Sequence, residues 1–392
     1  MCFHIMKGKR IFIVSTEFPP GPGGIGSHAY QVSKELYALG WEVSVFSEQA
    51  NCPEEEIRAF NEKSPFKIFR LSPTPSFVSL LVKLFKLLAA FLKHRPDVVL
   101  GTGKHGAWFA VLIGKLTFTK TTVVGHGTEF ITTMSAHSRN INNWIYSNAS
   151  AIVYVSNYTK RIAEKVGIAC KRSYVIHNGA DDSLFYPLQE KEIAEFKNFK
   201  NINKQKIITT VGNVQPRKGH EWVIRAMPKI LKSIPDAHYY CIGPPSIKNH
   251  LQNLAKELQI EKHVHFTGRI LNSDLLLWLN ATDVFVMTSI ATDYGDVEGF
   301  GIAVIEAALC RKPAVVTSES GPGEAIIENV TGFGAKERDI DTIAQKLKEL
   351  LQDEGLRNTM GENALNNAKQ NLTWSIVVRK YDAVLSKLIE KL

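Results

Sequence analysis

Two acids bracket a glycine-and-aliphatic stretch, EGFGIAVIE, running from Glu298 to Glu306. A β-branched run, VFVMTS (284–289), precedes it, and the loop IATDYGDVE joins that run to the first acid. AVIEAALC has strong helix propensity. Glu298 is therefore expected on a loop and Glu306 one to two turns into a helix, with Gly299, Phe300 and Gly301 at the helix start. Free N–H groups and the positive dipole end there favour an anion. A carboxylate inside the helix can accept two hydrogen bonds from vicinal hydroxyls, as the ribose acid does in dinucleotide folds. One ligand fits the spacing: ribose at Glu306, phosphates at Gly299–Gly301 and a sugar near Glu298, that is, a nucleotide sugar. A hydrolase-like pair of catalytic carboxylates suits this strand–loop–helix context poorly. The plain alternative is one loop acid and one solvated helix acid.

Two other stretches carry charge or backbone suited to phosphate. In VGNVQPRKGHEWVIRAM, Arg217 and Lys218 stand in a loop just before a helix. Arg offers a forked contact and Lys a point charge, which together neutralise a diphosphate. Alone, such a pair is more often a solvated loop. In TEFPPGPGGIGSHAYQVSKEL (16–36), Gly21, Gly23, Gly24 and Gly26 precede a helix expected to start near Ser27. Glycines let a backbone approach a ligand closely. The spacing is not GxGxxG, and Ser47-Glu48 is a weak ribose partner, so nicotinamide binding is disfavoured. A plain strand-to-helix turn is the alternative.

The elements that must position these residues alternate. Short runs recur at 10–15, 42–47, 67–71, 97–101, 121–126, 151–156 and 174–179, with amphipathic segments between most of them. That is the pattern of a parallel sheet covered on both faces. The charged stretch 184–206 reads as a linker with some helix, and the pattern restarts at 206–213, 238–243, 263–268, 284–289 and 313–318. The expected fold is α/β, two doubly wound Rossmann-like domains facing a central cleft and joined near residue 195. Residues 1–195 would form one domain and 196–372 the other, with an amphipathic helix at the C-terminal end. Ligands of such sheets bind at the carboxyl ends of the strands, which makes the cleft the default site.

Composition sets the setting. A chain of 392 residues, 44% hydrophobic and 22% charged, is a soluble globular protein with room for two cores. Its five cysteines (Cys2, Cys52, Cys170, Cys241, Cys310) are scattered, without metal-ligand spacing, as expected of reduced cytosolic thiols. MCFHIMKGKR is too short and polar for a signal peptide, and Lys83 and Lys86 interrupt the apolar stretch 76–96 too much for a membrane span. Of the net charge of +9, a net +8 falls between Lys93 and Val175, where eleven Lys/Arg face three acids. Such a field attracts an anionic membrane surface or a phosphorylated acceptor. Nucleic acid is the weakest option, since no binding motif accompanies the charge. Residues 77–91, with Lys83, Lys86 and Lys93, suit either a crossover helix or a bilayer interface.

Taken in order, these motifs resemble the retaining glycosyltransferases of family four, also called group one, which have the GT-B architecture. The resemblance covers nearly the whole chain. Its most specific element is Glu298-x7-Glu306, preceded by Asp296-Val297 and followed by AALCRKPAVVTSESGPGEAI. GPGGIGSHAY, the segment from Val175 to Asp181 with Phe185, and VGNVQPRKG match further family segments. The resemblance implies that Arg217 and Lys218 bind the donor diphosphate and stabilise the leaving group. It places Glu306 on the ribose and Glu298 beside the donor sugar. Gly23, Gly24, Gly299, Phe300, Gly301 and Ile302 would line the donor, Arg269 and Ile270 would flank the base, and His126 in GHGTEF would stand near the transferred sugar. Many members have Arg where this chain has Asn213, which puts more weight on Arg217 and Lys218. Asp293 and Asp296 do not form a metal motif, so transfer is expected to need no metal and no cofactor beyond a UDP- or GDP-linked sugar. Retention, with front-face transfer in which the leaving phosphate takes the acceptor proton, is implied in the same way, and so is closure over the donor to exclude water. The final helix would cross back onto the first domain. The acceptor would be a glycan or lipid-linked molecule of cell-surface polysaccharide or lipopolysaccharide synthesis, reached by a cytoplasmic enzyme peripheral to the membrane. A nucleotide-sugar epimerase of the same architecture, or a silent nucleotide-sugar binder, would share the donor motifs.

Overall fold

A computed structural model describes residues 8–21, 23–48, 52–72, 76–130 and 136–390. Cys2 and most of MCFHIMKGKR lie outside the described residues. The chain divides into two compact units, one of residues 1–176 with 374–392 and the other of residues 177–373.

The first unit is one all-parallel sheet of seven strands: β1 (Arg10–Ser15), β2 (Glu42–Glu48), β3 (Lys67–Leu71), β4 (Val98–Thr102), β5 (Lys120–Gly125), β6 (Ala151–Tyr154) and β7 (Ser173–Val175). Between them run α1 (Gly24–Ala38), α2 (Glu54–Lys63), α3 (Phe77–His94), α4 (Lys104–Thr117), α5 (Ala136–Ser147) and α6 (Asn157–Lys165). The strand order β3-β2-β1-β4-β5-β6-β7 reverses direction between β1 and β4. β1 and β4 have no alternating pattern because both faces are covered.

The second unit carries a six-stranded parallel sheet, β8 (Lys206–Val211), β9 (Ala237–Ile242), β10 (Val264–Gly268), β11 (Val284–Met287), β12 (Ala314–Thr317) and β13 (Gly332–Ala335). Its order is β10-β9-β8-β11-β12-β13, with the reversal between β8 and β11. The helices are α7 (Glu190–Lys200), α8 (His220–Leu231), α9 (Lys248–Glu257), α10 (Asn272–Ala281), α11 (Ile302–Leu309), α12 (Ile340–Gln352) and α13 (Glu354–Asn371). A last helix, α14 (Trp374–Ile389), belongs to the first unit. It buries Trp374, Val377, Val378, Tyr381, Leu385 and Leu388. Tyr381 bonds the His28 imidazole of α1 at 2.9 Å, and Asp382 accepts from the Trp41 indole at 2.9 Å.

Several elements differ from the sequence-based expectation. The units part at Ile176/His177, not near residue 195. Residues 184–206 are part of the second unit: Phe196 of α7 packs edge-on against Trp278 of α10, 5.3 Å between centroids. The seventh strand stops at Val175, and β13, GFGA, was not anticipated. Helix α1 begins at Gly24, three residues before Ser27. Lys83 does not belong to an outward basic face. It is buried, and its ammonium meets Glu48 at 2.6 Å. Glu48 also meets His105, so it serves as an anchor for α3 and α4. Among the described residues no helix is long and apolar enough to cross a membrane. Cys52, Cys170, Cys241 and Cys310 are free thiols.

Candidate functional site

In the second unit the predicted residues gather at the carboxyl ends of β8 and β11, the reversal point of the sheet. β8 leads through Asn213 and Val214 into a single turn, Pro216–Lys218, and then α8. Gly219 closes that turn with φ 73°, and a Cβ there would lie 1.7 Å from the Thr288 carbonyl oxygen. The Thr288 hydroxyl donates to the Gly219 carbonyl at 2.9 Å, and the Ile290 N–H donates to the Arg217 carbonyl at 3.0 Å. The turn carrying the two cations is thereby stitched to the loop after β11. No side chain beyond glycine fits the junction.

That loop returns the acids to the cations. Arg217 Nη1 is paired with Glu298, Arg217 Nε lies 3.3 Å from Asp296, and Lys218 Nζ lies 2.9 Å from the same Glu298 oxygen. The Lys218 stem crosses Gly212 and is buried. Burial, and then the neighbouring Arg217, pull its ammonium down to about 7 against the favourable fields of Glu306 and Asp296. Glu306 lies in the second turn of α11. Burial pushes its carboxyl up to about 7, opposed by Lys218. Burial thus disfavours the charged form of each group, and the charge of each favours that of the other.

Gly301, at φ 82°, is the N-cap of α11, and Ile302 is its first residue. Phe300 is buried, with its ring stacked on His177 at 4.9 Å and 21°. His177 Nε2 in turn meets Glu324 at 3.1 Å. Only the backbone of Phe300 is thus available to a ligand, and its side chain pins the EGFG turn. Arg269 and Ile270 follow β10, where the Gly243 N–H donates to the Gly268 carbonyl at 3.1 Å. That bond ties the ends of β9 and β10 together. Arg269 is exposed and Ile270 half-buried.

The first unit has its own cluster at the ends of β1, β4 and β5. His126 follows β5, buried, with Nε2 2.8 Å from the Thr102 hydroxyl. One Glu129 oxygen accepts from both the His126 N–H (3.0 Å) and the Gly127 N–H (2.9 Å). Burial lowers the imidazole to about 3 and raises the Glu129 carboxyl to about 7. His126 is thus a neutral imidazole, edge-on to His28 at 4.9 Å. Space beside Gly23 is filled by the Glu17 carboxylate, 1.9 Å from where a Cβ would stand. Gly24 is the exposed first residue of α1.

Residues 22–184 match the profile of Glycosyltransferase Family 4, and residues 192–367 that of Glycosyl transferases group 1. The chain belongs to glycosyltransferase family four. Its activity is glycosyl transfer. A Corynebacterium glutamicum GDP-mannose-dependent monoacylated alpha-(1-6)-phosphatidylinositol monomannoside mannosyltransferase is 25% identical, over 96% of this chain and 98% of the relative. A Mycolicibacterium smegmatis GDP-mannose-dependent alpha-(1-6)-phosphatidylinositol monomannoside mannosyltransferase is 26% identical, over 93% and 95%. Anabaena HepE, solved with UDP and glucose, shares the fold with a TM-score of 0.82 at 18% identity, covering 97% of this chain and 100% of that one. A Rickettsia africae glycosyltransferase also reaches 0.82, at 21% identity over 98% and 100%.

For this family member, the structure brings Glu298, Glu306, Arg217, Lys218 and the Gly299–Ile302 turn to one place. His126, Gly23 and Gly24 stand in the other unit. Asp296, His177 and Glu324 are supporting residues, and the sequence reading named their segments without giving any of the three this role. His177 and Glu324 lie 147 positions apart, so their pairing could not be read from either segment alone.

Proposed function

We propose that this glycosyltransferase holds a nucleotide-diphosphate sugar on its second unit and transfers the sugar, with retention and without a metal, to a lipid-linked acceptor met by its first unit. The observation that carries the donor reading is the convergence of Arg217 and Lys218 on one carboxylate, that of Glu298. A diphosphate presents the same acceptor chemistry with more charge, and would compete with Glu298 for both cations. The two side chains then supply the charge that a divalent ion gives elsewhere. Gly301 and Ile302 open α11 toward the phosphates, and Glu306 accepts the ribose hydroxyls. Displaced from the cations, Glu298 faces the sugar.

GDP-mannose is the first donor to test, because the named relatives use it, and UDP-glucose the second. Both relatives are named as phosphatidylinositol monomannoside mannosyltransferases, which favours a lipid-linked acceptor here over a soluble glycan. The outer face of α3 supports a membrane setting: Val78, Leu81, Val82, Phe85 and Leu92 are exposed beside Lys86 and Lys93. Such a face fits the interface of an anionic cytoplasmic leaflet.

A thermal-shift panel of UDP-, GDP- and ADP-sugars, with and without EDTA, tests the donor site. One base should stabilise the protein, EDTA should not change the shift, and Glu306→Ala should weaken that donor about 10- to 100-fold, the loss of one or two hydrogen bonds to a charged group. No stabilisation by any of them removes the donor assignment. The anomeric configuration of the product, read by NMR, decides retention. Flotation with anionic vesicles at low and high salt decides the membrane reading, since salt-insensitive absence from the vesicles would exclude it.

A further inference from the structure

Arg217 meets two acids, and it meets them through different nitrogens. Nη1 is paired with Glu298, while Nε lies 3.3 Å from Oδ2 of Asp296. A guanidinium holds its donors in one rigid plane, so the acid on Nε decides where the outer nitrogens point. The two acids are not equivalent. Glu298 shares one oxygen between Arg217 and Lys218, at the place where a diphosphate would compete for both. Among the described residues, Asp296 is ion-paired with Arg217 alone.

Asp296 is itself fixed by the backbone. The Thr292 N–H donates to the Asp296 carbonyl at 3.0 Å, and the Asp296 N–H donates to the Thr292 hydroxyl at 3.0 Å. The Gly295 N–H donates to the Thr292 carbonyl at 2.8 Å, with Gly295 at φ 80°. Val297, the next residue, is buried. The same loop reaches the Arg217 carbonyl through the Ile290 N–H. Arg217 is therefore clamped to one closed loop at its main chain and at Nε. Oδ1 of Asp296 is buried and has no hydrogen-bond partner. That oxygen is the acceptor that Nη2, on the same edge as Nε, would take in a two-armed fork once the guanidinium leaves Glu298.

We propose that Asp296 is a positioning residue for the donor diphosphate, keeping the Nε edge of Arg217 while Nη1 passes from Glu298 to the phosphates. This rests on the donor reading of Arg217 and Lys218. Glu298 is the exchangeable partner and Asp296 the fixed one. If charge alone mattered, removing either acid would tighten the binding of an anion. Positioning gives the opposite sign at Asp296, because an unguided arginine loses rotamer freedom when it binds.

The test is titration calorimetry of the full chain with UDP and GDP at about pH 6, below the value of Lys218, so that its ammonium stays charged. Asp296→Ala should bind the preferred nucleoside diphosphate about tenfold more weakly, whereas Glu298→Gln binds it more tightly. In an Arg217→Ala background, Asp296→Ala should cost less than about twofold, because the residue acts only through Arg217. Asp296→Asn, which keeps an oxygen for Nε, should bind at least about threefold more tightly than Asp296→Ala. If Asp296→Ala does not fold, Thr292→Val replaces it. That change removes the hydroxyl that accepts from the Asp296 N–H, so it should weaken binding in the same direction and be silent without Arg217. Tighter binding by Asp296→Ala, or an equal loss with and without Arg217, overturns the proposal and leaves the donor site standing. An unmodified protein that binds neither nucleotide removes the donor reading, and this role of Asp296 with it.

Discussion

Lys218 stands where several charges meet. Its ammonium touches Glu298, adjoins Arg217 and feels Glu306 and Asp296. Burial holds it at about 7 instead of 10.5. A bound diphosphate favours the charged form and raises that value. Between the two values, binding takes up a proton. The affinity for a nucleoside diphosphate should therefore fall as pH rises above about 7, by up to about tenfold per pH unit. Below about 7 Lys218 is already charged and contributes no slope. Titration calorimetry in buffers of different ionisation enthalpy reads the proton directly, and a flat affinity from pH 7 to 9 would contradict this. Glu298 has the converse prediction. Glu298→Gln removes the carboxylate that competes with the diphosphate, so the nucleoside diphosphate should bind about tenfold more tightly, about 1.4 kcal/mol, while sugar transfer falls. Weaker nucleotide binding in that variant would show that Glu298 supports the site in place of competing for it. These residues were legible in the sequence because a loop acid, two glycines and a helix acid share one local stretch. That Glu298 sits on Arg217 was not legible, since the partners are 81 positions apart and meet only after β8 and β11 pair.

At the scale of elements, the EGFG turn is held from behind. Phe300 is buried on His177, which Glu324 orients. Phe300→Ala removes the stack and leaves a cavity, so the second unit should lose about 3–5 kcal/mol in chemical denaturation. The nucleotide should also bind more weakly, because the turn loses its backing. A loss under about 1 kcal/mol would mean the turn is held by its backbone alone. Most strands were readable from β-branched runs, as β1 and β12 show. β13 was not, because GFGA is short and half glycine, and it exists only because β12 offers it an edge. The start of α1 was misplaced for a similar reason. Ser27 was the expected start, yet the acid beside this helix N-terminus lies upstream of Gly23, on the far side of three prolines. The basic face of α3 was overcounted because pattern alone cannot show that Lys83 turns inward to Glu48.

At the scale of the molecule, the charged stretch read as a linker blurred the boundary. Charge and a proline made residues 184–206 look like a joint, but α7 is packed on α10 and the units part earlier. The last helix is part of the first unit in energetic terms. Seven of its apolar or aromatic side chains are buried there, Trp374, Val377, Val378, Tyr381, Val384, Leu385 and Leu388. Ending the chain at Thr373 should therefore unfold the first unit and spare the second. Proteolysis should then leave a fragment beginning near His177 that still binds the nucleoside diphosphate. Equal loss of both units would show that their folding is coupled.

The path of α14 also sets the rules for hybrid enzymes. The second unit is an insertion within the first, entered after Ile176 and left before Trp374. A graft that exchanges donor preference between two relatives must therefore be cut at both junctions. A single crossover that carries the tail along would bring a foreign α14 to a native α1, and Tyr381 would have to find a partner other than His28.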